Sequence, residues 1–242
     1  WALRGGASGE DAVAQFPDHV DQVVAMMSPE GVAIDVAGRA HRLHATPHAD
    51  SVPQLWLLGS SAYSARLAAS RGLPYVFAHH FSGIGTAETI AWYRENYRPS
   101  QAYPEPRTFV TVNAVVAATA QEARRLAVPN IVSMLALRTG ATLGRQLLVE
   151  EAEARGFTAT EESLLGDLVA PWIVDAPAAA AQRVRELAEA HGVDEVMVQP
   201  VAGATSQTPA AQSPGRVQTL ELLAAALADS AAAHRRVGTS RA

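Results

Sequence analysis

Apolar positions along this chain change their spacing from segment to segment, and the spacing predicts the elements. Phe16, Val20, Val23, Val24 and Met27 recur at helical intervals. Pro17 and Asp18 suit a first turn, so a helix is expected from there to about Ser28-Pro29-Glu30-Gly31. Before it, Arg4 to Gly9 reads as loop. Residues 32–52 alternate only weakly and carry His41, His44 and His48, which reads as an irregular excursion with room for a short hairpin. Leu55-Trp56-Leu57-Leu58 is a continuous apolar run, as expected of a strand covered on both faces. It breaks at Gly59-Ser60-Ser61. A helix then follows from Ala62 to Arg71, with Gly72 in the terminating position, and Tyr75 to Ala78 forms the next strand.

The same alternation continues. His79 to Gly85 reads as a loop, followed by a helix from Thr86, its expected N-cap, to Asn96. Trp92, Tyr93 and Tyr97 are spaced to pack that helix. After a Pro-rich stretch, the β-branched segment Thr108 to Ala117 predicts a third strand. Thr119-Ala-Gln-Glu122 is a capping-box start for a helix reaching about Leu137, kinked by Pro129. Residues 138–160, with Gly140, Gly144 and Gly156, read as a long loop or partial helix. Helices are expected over 160–169 and 177–191, a fourth strand over Glu195 to Gln199, a mobile loop over 200–215, and a last helix from Arg216 to Ala228. Strands separated by helices with short connections predict α/β architecture with parallel strands. Four strands are half of what a closed barrel needs.

Composition narrows the chemistry. The chain has 242 residues, 48% of them hydrophobic, enough for one domain with excursions. It has 19 basic and 24 acidic residues, a net charge of −5, and no basic stripe, which argues against a nucleic-acid surface. Every basic side chain is Arg, so Schiff-base and P-loop lysine chemistry are excluded. Without cysteine, disulfides, thiolate nucleophiles and Cys-bound metals are excluded too. No apolar run reaches the ~18 residues of a membrane span, and no leader pattern is seen, so a cytoplasmic protein is expected. The first residue is Trp, which predicts a sequence that begins inside a longer product.

The segment that promises chemistry is Gly59-Ser60-Ser61-Ala62-Tyr63-Ser64, where a strand gives way to a helix. Unpaired N–H groups at a helix start favour an anion. Gly59 permits a sharp turn, and Ser61 and Ser64 can each offer a hydroxyl. The same serines could equally be an N-cap and a surface residue. His79-His80 has no further ligand at metal spacing, so no metal is expected. His80 reads as a hydrogen-bonded structural histidine. Trp56 reads as core, and Arg138 as either an anion contact or a solvated side chain. His41, His44 and His48 read as solvated, as does the acidic run Glu150, Glu151 and Glu153.

The wider pattern adds a family. Val52 to Phe81, with its Trp-Leu-Leu-Gly-Ser-Ser block and its Phe-Ala-His-His-Phe strand end, resembles the bacterial luciferase-like, flavin-dependent monooxygenases. So do Trp92 to Ser100, Thr119 to Ala123, Ser133 to Gly140 and Asp194 to Val198, in order along nearly the whole chain. The resemblance implies a TIM-type (β/α)8 barrel, often dimeric, with residues 1–242 as the C-terminal half of its single domain. The family's first four strands are not in this sequence, and Trp1-Ala-Leu-Arg-Gly-Gly resembles the segment just after the fourth. It further implies reduced FMN held at the strand ends and supplied by a separate flavin reductase. With O2 as co-substrate, a small organic molecule would be oxidised. By this similarity Ser61 and Ser64 hold the FMN phosphate, Gly59 and Ser60 shape the turn, and His79 lies near the isoalloxazine or substrate. Arg138 opens a variable cover over the pocket. A deazaflavin-dependent oxidoreductase of the same superfold and a truncated, non-catalytic flavin-binding or assembly protein remain as the other readings.

Overall fold

A computed structural model describes residues 9–47 and 51–239. Arg4 to Ser8 of the expected opening loop, the segment at Trp1, and His48 lie outside the described residues. Where one domain with an excursion was expected, the contacts group the chain into two compact units that divide between Trp56 and Leu57.

The first unit contains helix α1 (Gly9–Met27) and a hairpin of β1 (Val32–Val36) and β2 (Arg39–Leu43). The helix begins well before the expected first turn, and Pro17 lies in its interior. The segment ahead of Pro17, Glu10-Asp-Ala-Val-Ala-Gln15, joins good helix formers to acidic residues suited to a helix start. The excursion is regular: Val36 pairs with Arg39, leaving Ala37 and Gly38 as a two-residue turn with φ of 54° and 77°. Those are the angles a tight antiparallel hairpin needs. Asp35 accepts the Gly38 N–H at 2.8 Å. Every residue of β2 is exposed, His41 among them, and His44 just beyond is exposed too.

The second unit is a parallel sheet of five strands: β3 (Leu57–Gly59), β4 (Tyr75–Phe77), β5 (Thr108–Val116), β6 (Ile173–Asp175) and β7 (Val196–Pro200). Val110 pairs with both Phe77 and Val196, and Ala114 with both Ile173 and Pro200. A strand has only two edges. So β4 and β6 follow one another along one edge of β5, and β7 runs along the other. The order across the sheet is β3, then β4 with β6, then β5, then β7. Helices α2 (Ala62–Arg71), α3 (His79–Ser82), α4 (Thr86–Glu95), α5 (Ala120–Thr139), α6 (Val149–Arg155), α7 (Ala159–Val169), α8 (Pro177–His191) and α9 (Pro214–Thr239) connect and cover it.

Alternation along β5 sorts its side chains. Val112, Ala114 and Val116 pack against Ala180, Ala181 and Val184 of α8 and Leu223 of α9. Thr111, Asn113 and Val115 therefore face the other side. Val115 joins Leu126, Ile131 and Leu135 of α5, with Trp172 and Val201, in a second cluster. Each such fully buried large side chain is worth roughly 1.5–3 kcal/mol in hydrophobic transfer.

Several expectations are corrected. The first strand of the sheet lies two residues later than the apolar run, and Leu58 is 51% exposed, because its side chain lies on the face opposite buried Leu57. Trp56 precedes it and is partly exposed. His79 to Ser82 is helical. Thr86 is the first residue of α4 rather than its cap, and its hydroxyl donates to Gly83 O instead. Tyr93 is fully buried, whereas Trp92 is 37% exposed. Residues 138–160 are part loop and part helix, as expected: α5 runs to Thr139, residues 141–148 are irregular, α6 follows, and Thr158 opens α7 with a capping box. Ile173–Asp175 is a strand that the three-residue apolar signal was too short to announce. The beginning of the 200–215 segment is fixed rather than mobile. Val201 N donates to Ala114 O, Gly203 N donates to Leu126 O, and a Cβ at Gly203 would stand 2.5 Å from Pro129 Cγ.

Candidate functional site

The turn from β3 into α2 is built around a close approach. A Cβ on Gly59 would stand 1.9 Å from Ser64 Oγ, so only glycine lets the strand end pass over the first turn of the helix. Ser64 is buried, and its hydroxyl donates to Ser61 O at 3.3 Å. Tyr75, on the neighbouring strand, donates to Gly59 O at 2.9 Å. Burial pushes the Tyr75 phenol up to about 12, against the effect of Ser64, whose hydrogen bond pulls it down. The strand end is thus held from below by Ser64 and from the side by Tyr75.

Above this support the helix start is open. Ser61 occupies the N-cap position with extended backbone (φ −138°, ψ 161°), yet its side chain makes no capping bond, and the first turn carries no acidic residue. Ser60, Ser61 and Ala62 are exposed. The first N–H groups of α2 and two serine hydroxyls therefore share one small surface at the C-terminal end of β3. That surface suits an anion such as a phosphate. Gly59, Ser60 and Ser61 are brought together as expected. Ser64 is brought under the turn rather than to its open side.

The two histidines after β4 point opposite ways. His79 is 8% exposed, and its Nδ1 lies 2.9 Å from Thr86 Oγ1. Its ring centroid is 5.6 Å from that of His191, at the end of α8, and it shares a small cleft with Ile173, Arg183 and Leu187. It therefore faces the helix layer that covers Val112 and Ala114. Burial first, then the positive fields of His191 and His80, take its pKa down to about 4. The expectation set His79 near an isoalloxazine or substrate, and the structure places it in this cleft on the helix-layer side of the sheet. His80 turns to the other face of β5: its Nδ1 meets Thr111 Oγ1, and its carbonyl accepts Asn113 Nδ2 at 3.1 Å. Burial lowers the His80 pKa as well.

Arg138 is in the last turn of α5, not in a loop, and its Nη2 donates to Phe81 O at 2.5 Å. It is exposed and tied to the segment that follows β4. Exposed Phe81 and Ile84 mark that segment as an apolar rim. The acidic run is partly paired rather than simply solvated. Arg125 bridges Glu150 and Glu153, and Arg145 meets Glu151 at 2.6 Å.

Thr111 and Asn113 are candidate site residues that sequence reasoning passed over. Both are buried, 0% and 2% exposed, in the middle of a largely apolar strand. Asn113 Oδ1 is buried without a hydrogen-bond partner. The signal was present, since an amide inside a β-branched run must find partners or meet a ligand. Among the described residues there is no group of three or more acidic or histidine side chains placed to hold a metal, and no helix long and apolar enough to cross a membrane.

Known proteins give this geometry a family. Residues 3–195 match the luciferase-like monooxygenase family. The chain is 30% identical over 201 residues to the uncharacterized protein YwcH of Bacillus subtilis (strain 168), covering 82% of this chain and 58% of that protein. It spans about half the length of the curated relatives it matches. The crystal structure of apo-MsnO8 superposes with a TM-score of 0.70 at 24% identity, covering 93% of this chain and 62% of that one. The oxygenating constituent of 3,6-diketocamphane monooxygenase from Pseudomonas putida, in complex with FMN, superposes at 0.52 with 18% identity, covering 90% and 62%. An F420-dependent secondary alcohol dehydrogenase, in complex with an F420-acetone adduct, superposes at 0.55 with 12% identity, covering 91% and 63%. These three share the fold, an α/β architecture with parallel strands. By its match over most of its length, the chain belongs to the luciferase-like monooxygenase family.

Proposed function

We propose that this chain is the phosphate-binding portion of a flavin-dependent monooxygenase that uses reduced FMN and O2 to oxidise a small organic substrate. One observation carries the reading. The start of α2 lies at the C-terminal end of a parallel strand, with no side-chain cap, no acid in its first turn, and the exposed hydroxyls of Ser60 and Ser61 beside it. A phosphate fits that donor set. Its own residues would do three things: bind the phosphate with the helix start and Ser61, keep the turn rigid through Gly59, Ser64 and Tyr75, and present His80, Thr111 and Asn113 beside the strand ends. Reduced FMN, when bound, supplies the electrons for oxygen activation, a chemistry that belongs to the cofactor. Arg138 borders the same end of the sheet and holds the segment around Phe81.

A separate flavin reductase, a homodimeric assembly and a cytoplasmic setting belong to this reading. The FMN complex of the 3,6-diketocamphane monooxygenase supports it by fold. The F420 complex of the alcohol dehydrogenase supports a second reading, hydride transfer from a deazaflavin on the same cup. Titrating the full-length protein with FMN, riboflavin and F420, followed by cofactor fluorescence, separates them. Tight FMN binding with weak riboflavin binding, and O2 uptake by the reduced FMN complex, is expected. Preference for F420 without O2 uptake would favour hydride transfer. Equal affinity for FMN and riboflavin would contradict the phosphate cup, and binding without turnover would favour a non-catalytic flavin protein.

A further inference from the structure

Two hydrogen-bond relays in the sheet unit bear on which nitrogen of each histidine carries the proton. Thr111 Oγ1 donates to Phe77 O at 3.3 Å, and a hydroxyl has one proton. With that proton on Phe77 O, the contact between Thr111 Oγ1 and His80 Nδ1 uses the hydroxyl as acceptor and the ring as donor. That arrangement puts the His80 proton on Nδ1 and leaves Nε2 as the acceptor. The relay at His79 has the same form: Thr86 Oγ1 donates to Gly83 O at 2.9 Å and so accepts from His79 Nδ1. The difference is direction, since His79 is turned to the helix layer and His80 to the face of β5 shared by Thr111 and Asn113.

That face holds a second lone acceptor. Asn113 Nδ2 donates to His80 O at 3.1 Å, and this fixes the amide's orientation, because the reverse would set two oxygens against each other. Asn113 Oδ1 is left buried with no partner. A buried acceptor without a donor is costly, about 1–3 kcal/mol, so Asn113 Oδ1 suits a ligand group that carries hydrogen.

We propose that Thr111 is a positioning residue that locks His80 as the Nδ1–H tautomer, so that His80 Nε2, with Asn113 Oδ1, accepts hydrogen bonds from an O–H or N–H group of the bound ligand. The proposal deepens the flavin reading. It rests on that reading for where the ligand comes to lie, but not for the tautomer. Histidine-selective 15N labelling of the full-length protein reads the tautomer directly from long-range proton–nitrogen correlations, with His80→Gln identifying the His80 signals. His80 is expected to show a protonated Nδ1 and an unprotonated Nε2. Thr111→Val should shift His80 toward a mixture of tautomers, and Thr111→Ser should restore the wild-type pattern. His79, locked through Thr86, is expected to keep its pattern in both variants and so reports that the fold is intact. Phenol, a small O–H donor, should move the His80 Nε2 resonance toward the protonated end, while anisole, the same ring without the donor, should leave it in place.

A wild-type His80 protonated on Nε2, or a Thr111→Val protein with an unchanged His80 and an unchanged His79, would overturn the lock. Equal responses to phenol and anisole, or none to phenol, would overturn the acceptor role. A protein that shows the locked tautomer yet binds no FMN would support this inference and overturn the flavin reading alone.

Discussion

Gly59 and Ser64 interlock. A Cβ on Gly59 would stand 1.9 Å from Ser64 Oγ and 2.8 Å from Ser64 Cβ. Neither atom of Ser64 can retreat easily, because the residue is buried in the first turn of α2. Gly59→Ala should therefore destabilise the protein by about 1–3 kcal/mol, the usual range for overpacking, and distort the turn above it. Ser64→Gly in the same chain removes the obstructing side chain and should recover part of the loss. A double-mutant cycle on thermal or denaturant unfolding reads the coupling. Additive effects would mean that the two residues do not meet as described.

His79 should make the protein acid-sensitive. Its folded pKa, about 4, lies below the ordinary 6.5, so the unfolded chain takes a proton that the folded one refuses. The stabilising contribution is complete above about pH 6.5 and is lost as pH falls toward 4. His80 and His191, also held low by burial, act in the same direction, with Glu88 opposing at His191. His79→Gln is expected to make the fall in unfolding free energy between pH 7 and 4.5 shallower, by up to one proton in the slope. An identical slope in the variant would show that His79 takes up its proton in the folded state as readily as in the unfolded one.

Thr119 caps α5, its hydroxyl accepting the Glu122 N–H at 3.1 Å. Thr119→Ala should cost about 1 kcal/mol and Thr119→Ser should leave stability nearly unchanged, measured as a shift in denaturant midpoint at constant slope. α5 provides a long wall of the second core cluster through Leu126, Ile131 and Leu135, so the loss should be felt by the whole sheet unit.

Much of this fold was legible because its signals are local. Ala62 to Arg71 with Gly72, the Thr119 cap, and the α8 helix ending at Gly192 all depend on residues within a turn or two of each other. What was not legible depends on distant partners. Leu58 reads as core, but it lies on the face of β3 opposite buried Leu57 and is exposed there. Ile173–Asp175 becomes a strand only because β5 continues past β4 and offers it an edge. At the site, the Gly59-Ser60-Ser61 turn was readable from strand, glycine and helix start. The adjacent pair His79-His80 was not, since sequence says that neighbours diverge but not which one faces the helices. The buried Asn113 in Thr108 to Val116 was the clue to that side.

The most direct test of the phosphate cup is Ser61→Asp, followed for stability and for flavin binding together. An aspartate at this position can cap α2 and complement its dipole, so the variant should be as stable as the wild type or more stable, by about 0.5–1 kcal/mol. The same carboxylate would occupy the place proposed for the phosphate and repel it. FMN affinity should then fall by about tenfold or more, while the weaker riboflavin affinity stays unchanged, in titrations of the full-length protein. A stable Ser61→Asp protein that binds FMN as tightly as the wild type would contradict the account.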